Sequence, residues 1–226
     1  MMLDAAVVLE RTESPLDDAA IERAHEHWAS IQANRPWLFD GPIVAAIVDS
    51  HSGTVTVRWY PSTYSRYLAR DVACDGGYDR ALFASVVVRS SDGLVLFGAM
   101  AEATSSPGRV QLPGGNVELA SDGSLDEPGI RAEAARELRE ETGIAVDPGV
   151  LRLHRVSVGD AYGDVGFLYH YDSELTASEL LTAVDGEAEF TRFVLADPAD
   201  VDATREGNWV DYAEGLLVSL RDEGSA

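Results

Sequence analysis

The stretch Arg136-Glu137-Leu138-Arg139-Glu140-Glu141-Thr142-Gly143-Ile144 constrains this chain more than any other. At about 100° per residue on a helix, Glu137 shares a face with Glu140 and Glu141, its neighbours three and four positions on. Three like charges meet there, near the negative end of the helix dipole, at a cost of roughly a few tenths of a kcal/mol per pair. A hard divalent cation turns that cost into an asset, because Mg²⁺ takes carboxylate oxygens as ligands and keeps several waters. Gly143 directly behind suits a helix stop. Leu138, Ala134 and Ile130 recur at four-residue spacing and read as the buried stripe of the same helix.

Upstream, Leu112-Pro113-Gly114-Gly115-Asn116-Val117-Glu118 supplies a turn whose two glycines let the backbone approach a ligand closely. On these residues the chain resembles the Nudix hydrolases. Their signature is a glycine, five residues, a glutamate, seven residues, then Arg-Glu-aliphatic-x-Glu-Glu-x-Gly-aliphatic. Arg136 to Ile144 matches the second half at every position. The first half departs: counted from Gly115, Arg136 comes 21 residues later instead of 14, so about seven residues are inserted. The polar run from Leu119 to Asp126, rich in Gly, Ser and Asp, is the place for them. Pro128 stands where the family has a glutamate, and Glu127, Glu118 and Glu133 are the alternatives for that accessory acid. Pro128 itself fits the first turn of a helix, with Asp126 or Glu127 near the cap.

The resemblance implies an α/β fold, a Nudix-type α/β/α sandwich with a mixed sheet over residues 80–226, and a small N-terminal α+β extension over residues 1–79. It also implies a diphosphohydrolase. In this reading Glu137, Glu140 and Glu141, with the Gly115 backbone and Glu127, hold Mg²⁺ or Mn²⁺ against a diphosphate, and the metal activates a water for attack on phosphorus. Glu137 and Glu140 count as catalytic. Arg136 orients a signature glutamate. Family analogy puts a general base in Gly186-Glu187-Ala188-Glu189-Phe190, with Glu187 as the candidate and Glu189 beside it; a solvated strand entrance is the plain structural alternative.

Substrate is read from weaker signals. Trp28, Asn34, Pro36, Leu38-Phe39-Asp40-Gly41-Pro42 and the Tyr64/Tyr67 segment are similar to the extension of a Nudix subgroup that includes UDP-sugar diphosphatases. A nucleotide sugar is therefore the expected small-molecule substrate, and a homodimer through the extension is compatible with it. The alternatives are oxidised or ordinary nucleoside triphosphates, dinucleoside polyphosphates, or a non-catalytic nucleotide sensor, although sensors of this fold usually lose signature glutamates. The ADP-ribose type expects a proline 15 or 16 residues past Ile144, where this chain has Gly159 and Asp160. Tyr162, 18 residues past, falls where the diadenosine-polyphosphate type expects a tyrosine.

Charge bears on partners. A formal charge of −22 argues against nonspecific binding to nucleic acid or an anionic membrane. All 17 basic residues are arginine, so Schiff-base chemistry and a P-loop lysine are excluded and any direct phosphate clamp is a guanidinium. Cys74 is the only cysteine, which excludes an intrachain disulfide. The first ten residues lack a basic leader, and no apolar window reaches the roughly 18 residues of a membrane span. A cytoplasmic enzyme is the expectation.

Along the chain, residues 4–11 read as a strand. Ser14-Pro15-Leu16-Asp17 has the cap, N1 proline and early acid of a helix start, with Ile21, Ala24, Trp28 and Ile31 at helical spacing behind it. Residues 43–49 and 54–60 form a hairpin around Gly53, and Tyr64 to Ala69 a short helix. Asp75 to Asp79 is the joint. Strands follow at 82–88, 94–97, 150–158, 165–171 and 189–195, with helices near 178–184 and 210–221.

Overall fold

The computed structural model describes residues 2–3, 6–51, 53–73, 77–104, 106–159, 161, 163–185 and 189–223. Its strands are β1 (Met2–Leu3), β2 (Ala6–Arg11), β3 (Pro42–His51), β4 (Thr54–Thr63), β5 (Leu82–Arg89), β6 (Val95–Met100), β7 (Val110–Gln111), β8 (Gly114–Asn116), β9 (Arg152–Val158), β10 (Val165–Asp172) and β11 (Phe190–Ala196). Its α-helices are α1 (Asp18–Asn34), α2 (Tyr64–Leu68), α3 (Glu127–Thr142), α4 (Ala177–Ala183) and α5 (Ala213–Glu223).

Among the described residues, the large sheet runs β1-β9-β10-β5-β6-β11 and is mixed, with β10 parallel to β5 and the other pairs antiparallel. Strands β5 and β6 pair only at Arg89 and Val95, then diverge. Into the split come β8, paired with β5 at Phe83 to Ser85, and β7, paired with β6 at Gly98 and Ala99. The Leu112-Pro113 turn between them is fastened by the Val86 N–H, which donates to the Pro113 carbonyl at 2.9 Å. A sheet opened in this way presents backbone at its surface, where a ligand can reach it.

The two faces of the sheet follow from strand alternation. Ala84, Val86 and Val88 of β5 and Phe167 and Tyr169 of β10 face a core shared with Ile130, Ala134 and Leu138 of α3. Val87 and Leu168 face the opposite core, closed by Leu216, Leu217 and Leu220 of α5. The stripe expected on α3 is fully buried; Ile130 and Leu138 contribute roughly 2–3 kcal/mol each by leaving water. Helix α3 starts where Asp126 Oδ1 accepts the Gly129 N–H at 2.8 Å, with Pro128 in the first turn, and stops at Gly143, whose φ of 74° is left-handed.

The N-terminal region forms a three-stranded sheet, β2-β4-β3, with β2 parallel to β4. It does not stand apart. Val44, Ala46, Val55, Val57 and Trp59 belong to the same buried cluster as α3 and β5. Backbone bonds cross as well, Val44 N–H to the Val117 carbonyl at 3.2 Å and Ala46 N–H to the Arg80 carbonyl at 2.9 Å.

Most expected elements are present within a few residues. One correction concerns α1: Ser14 and Pro15 do not begin it. The helix starts at Asp18, and the cap is Asp17, whose Oδ1 accepts the Ala20 N–H at 2.8 Å. That carboxylate sits the required three residues before a free N–H, so it takes the position the sequence reading gave to serine. Among the described residues, no helix is long and apolar enough to cross a membrane.

Candidate active site

Helix α3 passes over the split in the sheet, and its last two turns stand against the Gly114-Gly115 strand. Two signature glutamates turn inward. Glu141 is 4% exposed, and its Oε2 accepts the Gly114 N–H at 2.6 Å. Glu137 lies so near Gly115 that a Cβ there would fall 2.6 Å from its carboxyl carbon. Gly114 has φ +152°, and a Cβ on it would meet the Ala84 carbonyl at 2.2 Å. Both positions therefore exclude a side chain, and what approaches them closely is the chain's own Ala84, Ser85 and Glu137.

Burial is the first cause that pushes the Glu141 carboxyl up, to about 9; the Gly114 N–H opposes the shift and the nearby Glu189 adds to it. Glu137 is raised too, first by burial, with Arg136 opposing and Glu189 and Glu140 adding. Glu189 thus acts electrostatically on both. Buried Glu141, Glu137 and the exposed Glu189 bring hard oxygen donors together.

The third glutamate points elsewhere. Glu140 is half exposed and bonded to Arg136 at 2.7 Å. Arg136 bridges three acids, reaching Glu137 at 2.6 Å and Glu133 at 2.7 Å as well. The expected single face of three carboxylates is therefore divided by one guanidinium. A helix face spans an arc, and Arg136 occupies the part that sequence spacing assigns to convergence.

The accessory candidates scatter. Glu127 is bound by Arg131 at 2.6 Å and by the Tyr169 hydroxyl at 3.0 Å. It sits ten residues before Glu137, roughly 15 Å along the helix axis. Glu133 is taken by Arg136, and Glu118 is exposed in the loop. Glu187 lies outside the described residues, as do Cys74 and Tyr162. Among the described residues, no three His, Cys, Asp or Glu side chains enclose a point where a metal ion would sit. Carboxylate oxygens suit a divalent cation by their chemistry, and Glu137 and Glu141 are the ones that turn toward the glycine strand.

In front of the glycines opens a cleft of about 180 Å³, walled by Tyr64, Tyr67, Phe83, Arg109, Asp164 and Tyr212 among others. Phe83 and Tyr212 stack with centroids 5.8 Å apart. Asp164 anchors one side: it accepts the Tyr67 hydroxyl at 3.1 Å and the Ala81 N–H at 3.2 Å. Burial raises its carboxyl to about 6 against the pull of Arg70. The sequence reading singled out neither Arg109 nor Asp164. Pro107-Gly108-Arg109 ahead of a short strand is a turn signal that marks Arg109 as lying at a loop tip, and nothing local connects it with the signature 30 residues on.

A family model for the NUDIX domain matches residues 79–221, well over half of the chain, and the chain belongs to the Nudix family. It is accordingly a hydrolase acting on phosphorus-containing anhydrides, in a family that generally needs divalent metal ions. No curated protein sequence matches it significantly. Similar solved structures include a MutT protein from Methanosarcina mazei Go1, at TM-score 0.46 and 18% identity, over 65% of this chain and 96% of that one. The NUDIX domain of Shewanella oneidensis NrtR, crystallised with ADP ribose, gives TM-score 0.46 and 17% identity, over 72% and 99%. A bifunctional NMN adenylyltransferase/ADP ribose pyrophosphatase from Francisella tularensis, complexed with AMP and a manganese ion, gives 0.47 and 16%, over 64% of this chain and 42% of that one. Likenesses at this level say nothing about substrate.

Proposed function

We propose that this Nudix hydrolase cleaves the diphosphate of a nucleoside diphosphate joined to a second group, and that the second group is a sugar. The observation that carries the reading is the pairing of two inward carboxylates, Glu137 and Glu141, with a glycine backbone open to a cleft. Support for the nucleotide sugar comes from the resemblance of the extension, whose Tyr64 and Tyr67 line that cleft.

Glu137 and Glu141, with the Gly115 carbonyl, are the groups that would hold Mg²⁺ or Mn²⁺, and Glu140 joins them from the same helical turn if Arg136 releases it. Such an ion, when bound, neutralises charge on the phosphoryl oxygens and lowers the pKa of a coordinated water. The chain's own contribution is position. Gly114 and Gly115 let the strand close onto Ala84, Ser85 and Glu137, which sets the carboxylates at the edge of the cleft. Arg136 fixes the Glu137 carboxylate so that little reorganisation is needed. The 187–189 segment supplies the general base in this proposal, with Glu189 at the cleft wall. A homodimer through the extension belongs to the same proposal; Trp37 and Phe39 stay 63% and 77% exposed there.

The test is a panel of nucleoside diphosphate sugars incubated with the purified protein and Mg²⁺. Release of nucleoside monophosphate and sugar phosphate is expected. Turnover confined to oxidised nucleoside triphosphates would remove the substrate assignment.

A further inference from the structure

The catalytic cleft adjoins a second, larger one of about 680 Å³, and Ser106, Arg109 and Asp211 line both. Its far wall comes from the extension: Ser30, Asn34 and Arg35 at the end of α1, and Asp71. The near wall is Asn208 and Trp209, from the segment that leads into α5. We infer that this second chamber, between the extension and the Nudix sheet, holds the uncharged, hydroxyl-rich end of the substrate, and that Arg109 at the junction holds the phosphate beside it. The inference rests on the diphosphate-cleaving reading above and adds where each half of the substrate lies.

Arg109 is placed by elimination and by position. A diphosphate brings negative charge into a protein of formal charge −22, to a cleft that already contains Asp164, Asp211 and Glu189. Arg109 is the only basic residue that lines the catalytic cleft among the described residues. Among the described residues its guanidinium makes no hydrogen bond or ion pair, although it acts on Asp164 and Tyr212 through charge. Arg136, by contrast, is committed to three carboxylates. Arg70 lies over the Tyr67 ring at 3.9 Å and near Asp164 at 3.8 Å. A guanidinium with its donor fork open suits bidentate contact with a phosphate.

The second chamber offers acceptors and donors together. Asp71 and Asp211 accept hydrogen bonds from hydroxyl groups, while Asn34, Asn208, Arg35 and Arg70 line it as donors. Trp209 adds an aromatic surface, braced edge-on against Phe97 at 5.1 Å. Mixed donors and acceptors beside an aromatic ring match a polyol.

Binding separates this inference from the catalytic reading. Methylene-bridged, non-hydrolysable analogues of a nucleoside diphosphate sugar and of the same nucleoside diphosphate carrying only a methyl group would be titrated calorimetrically. Ser30→Trp places a bulky ring in the second chamber from an exposed helix position. It is expected to weaken the sugar analogue at least tenfold and leave the methyl analogue within twofold. Arg109→Ala should weaken both analogues about tenfold or more, with Arg109→Lys recovering part of the loss. Equal affinity of the two analogues for wild-type protein, or equal loss of both in Ser30→Trp, overturns the chamber assignment even if turnover is intact. Unchanged affinity in Arg109→Ala overturns the junction. Absence of turnover on the true diphosphate sugar, with these affinity patterns present, overturns the catalytic reading alone.

Discussion

Among the described residues, Asp79 and Glu141 are almost fully buried carboxyl groups, and the molecule treats them in opposite ways. Asp79 is fully buried and fully partnered: the Tyr60 hydroxyl donates to it at 2.9 Å, the Ser62 hydroxyl donates as well, and Arg66 pairs with it at 2.8 Å. The arrangement neutralises the charge locally and ties β4 and α2 to the joint before β5. Glu141 is almost as buried but receives one backbone N–H, and its other neighbours are carboxylates. A buried carboxyl completed by its own chain is architecture, and one left short of positive partners is a candidate for ligand binding.

That contrast can be broken at either end. The largest effect is expected at the incomplete site: Glu137→Gln and Glu141→Gln should each lower kcat about a thousandfold, roughly 4 kcal/mol of barrier. Their melting temperatures should hold, since each replacement keeps the side-chain shape and the Glu141 carboxyl, raised to about 9, already carries a proton at neutral pH. A loss of fold in both variants would show that these acids are structural. At the complete site Asp79→Ala should cost about 3 kcal/mol in urea denaturation by stranding Arg66 and two hydroxyls, with the activity of the folded fraction retained. Loss of activity in that fraction would erase the distinction.

Divalent cation sharpens the contrast further. Mg²⁺ or Mn²⁺ at about a hundred times its dissociation constant should stabilise the wild type by roughly 2.7 kcal/mol. Glu141→Gln should lose most of that gain and Asp79→Asn none of it. The smallest effect concerns Asp164. Its folded pKa of about 6 lies above the ordinary 3.8, so between those values the folded protein keeps a proton that the unfolded chain has released. Stability therefore falls as pH rises from about 4 to about 6 and is level above. Asp164→Asn should flatten that slope, a difference of about 2 kcal/mol in unfolding free energy between pH 4 and pH 7 by urea denaturation. A slope unchanged in the variant assigns it to another group.

Local chemistry was the legible part of the fold. The Asp126 cap, Pro128 in the first turn, the Ile130-Ala134-Leu138 stripe and the Gly143 stop all follow from spacing along one helix, and all are present. The start of α1 was misplaced by three residues, because Ser14 and Asp17 are both competent caps and only packing of Ala20, Ala24 and Trp28 selects between them. The candidate site was legible in the same measure. Glu137 and Glu141 reach the Gly114-Gly115 strand, yet Glu140 does not, since Arg136 engages it one turn away. Glu127 read as an accessory acid because it is adjacent to the expected position, and its helix turn instead hands it to Arg131 and Tyr169.

What the sequence by itself determined was the family, through a short motif whose residue types and intervals are set by one helical turn and one glycine turn. Spacing within a helix is rigid, so those relations survive translation into space. Tertiary structure alone decided what faces that motif. Arg109, Asp164, Glu189 and the end of α1 come from distant parts of the chain and meet only because the sheet splits between β5 and β6 and the extension packs over it. Contacts across such separations depend on the packing of whole layers, and no local interval in the chain encodes them.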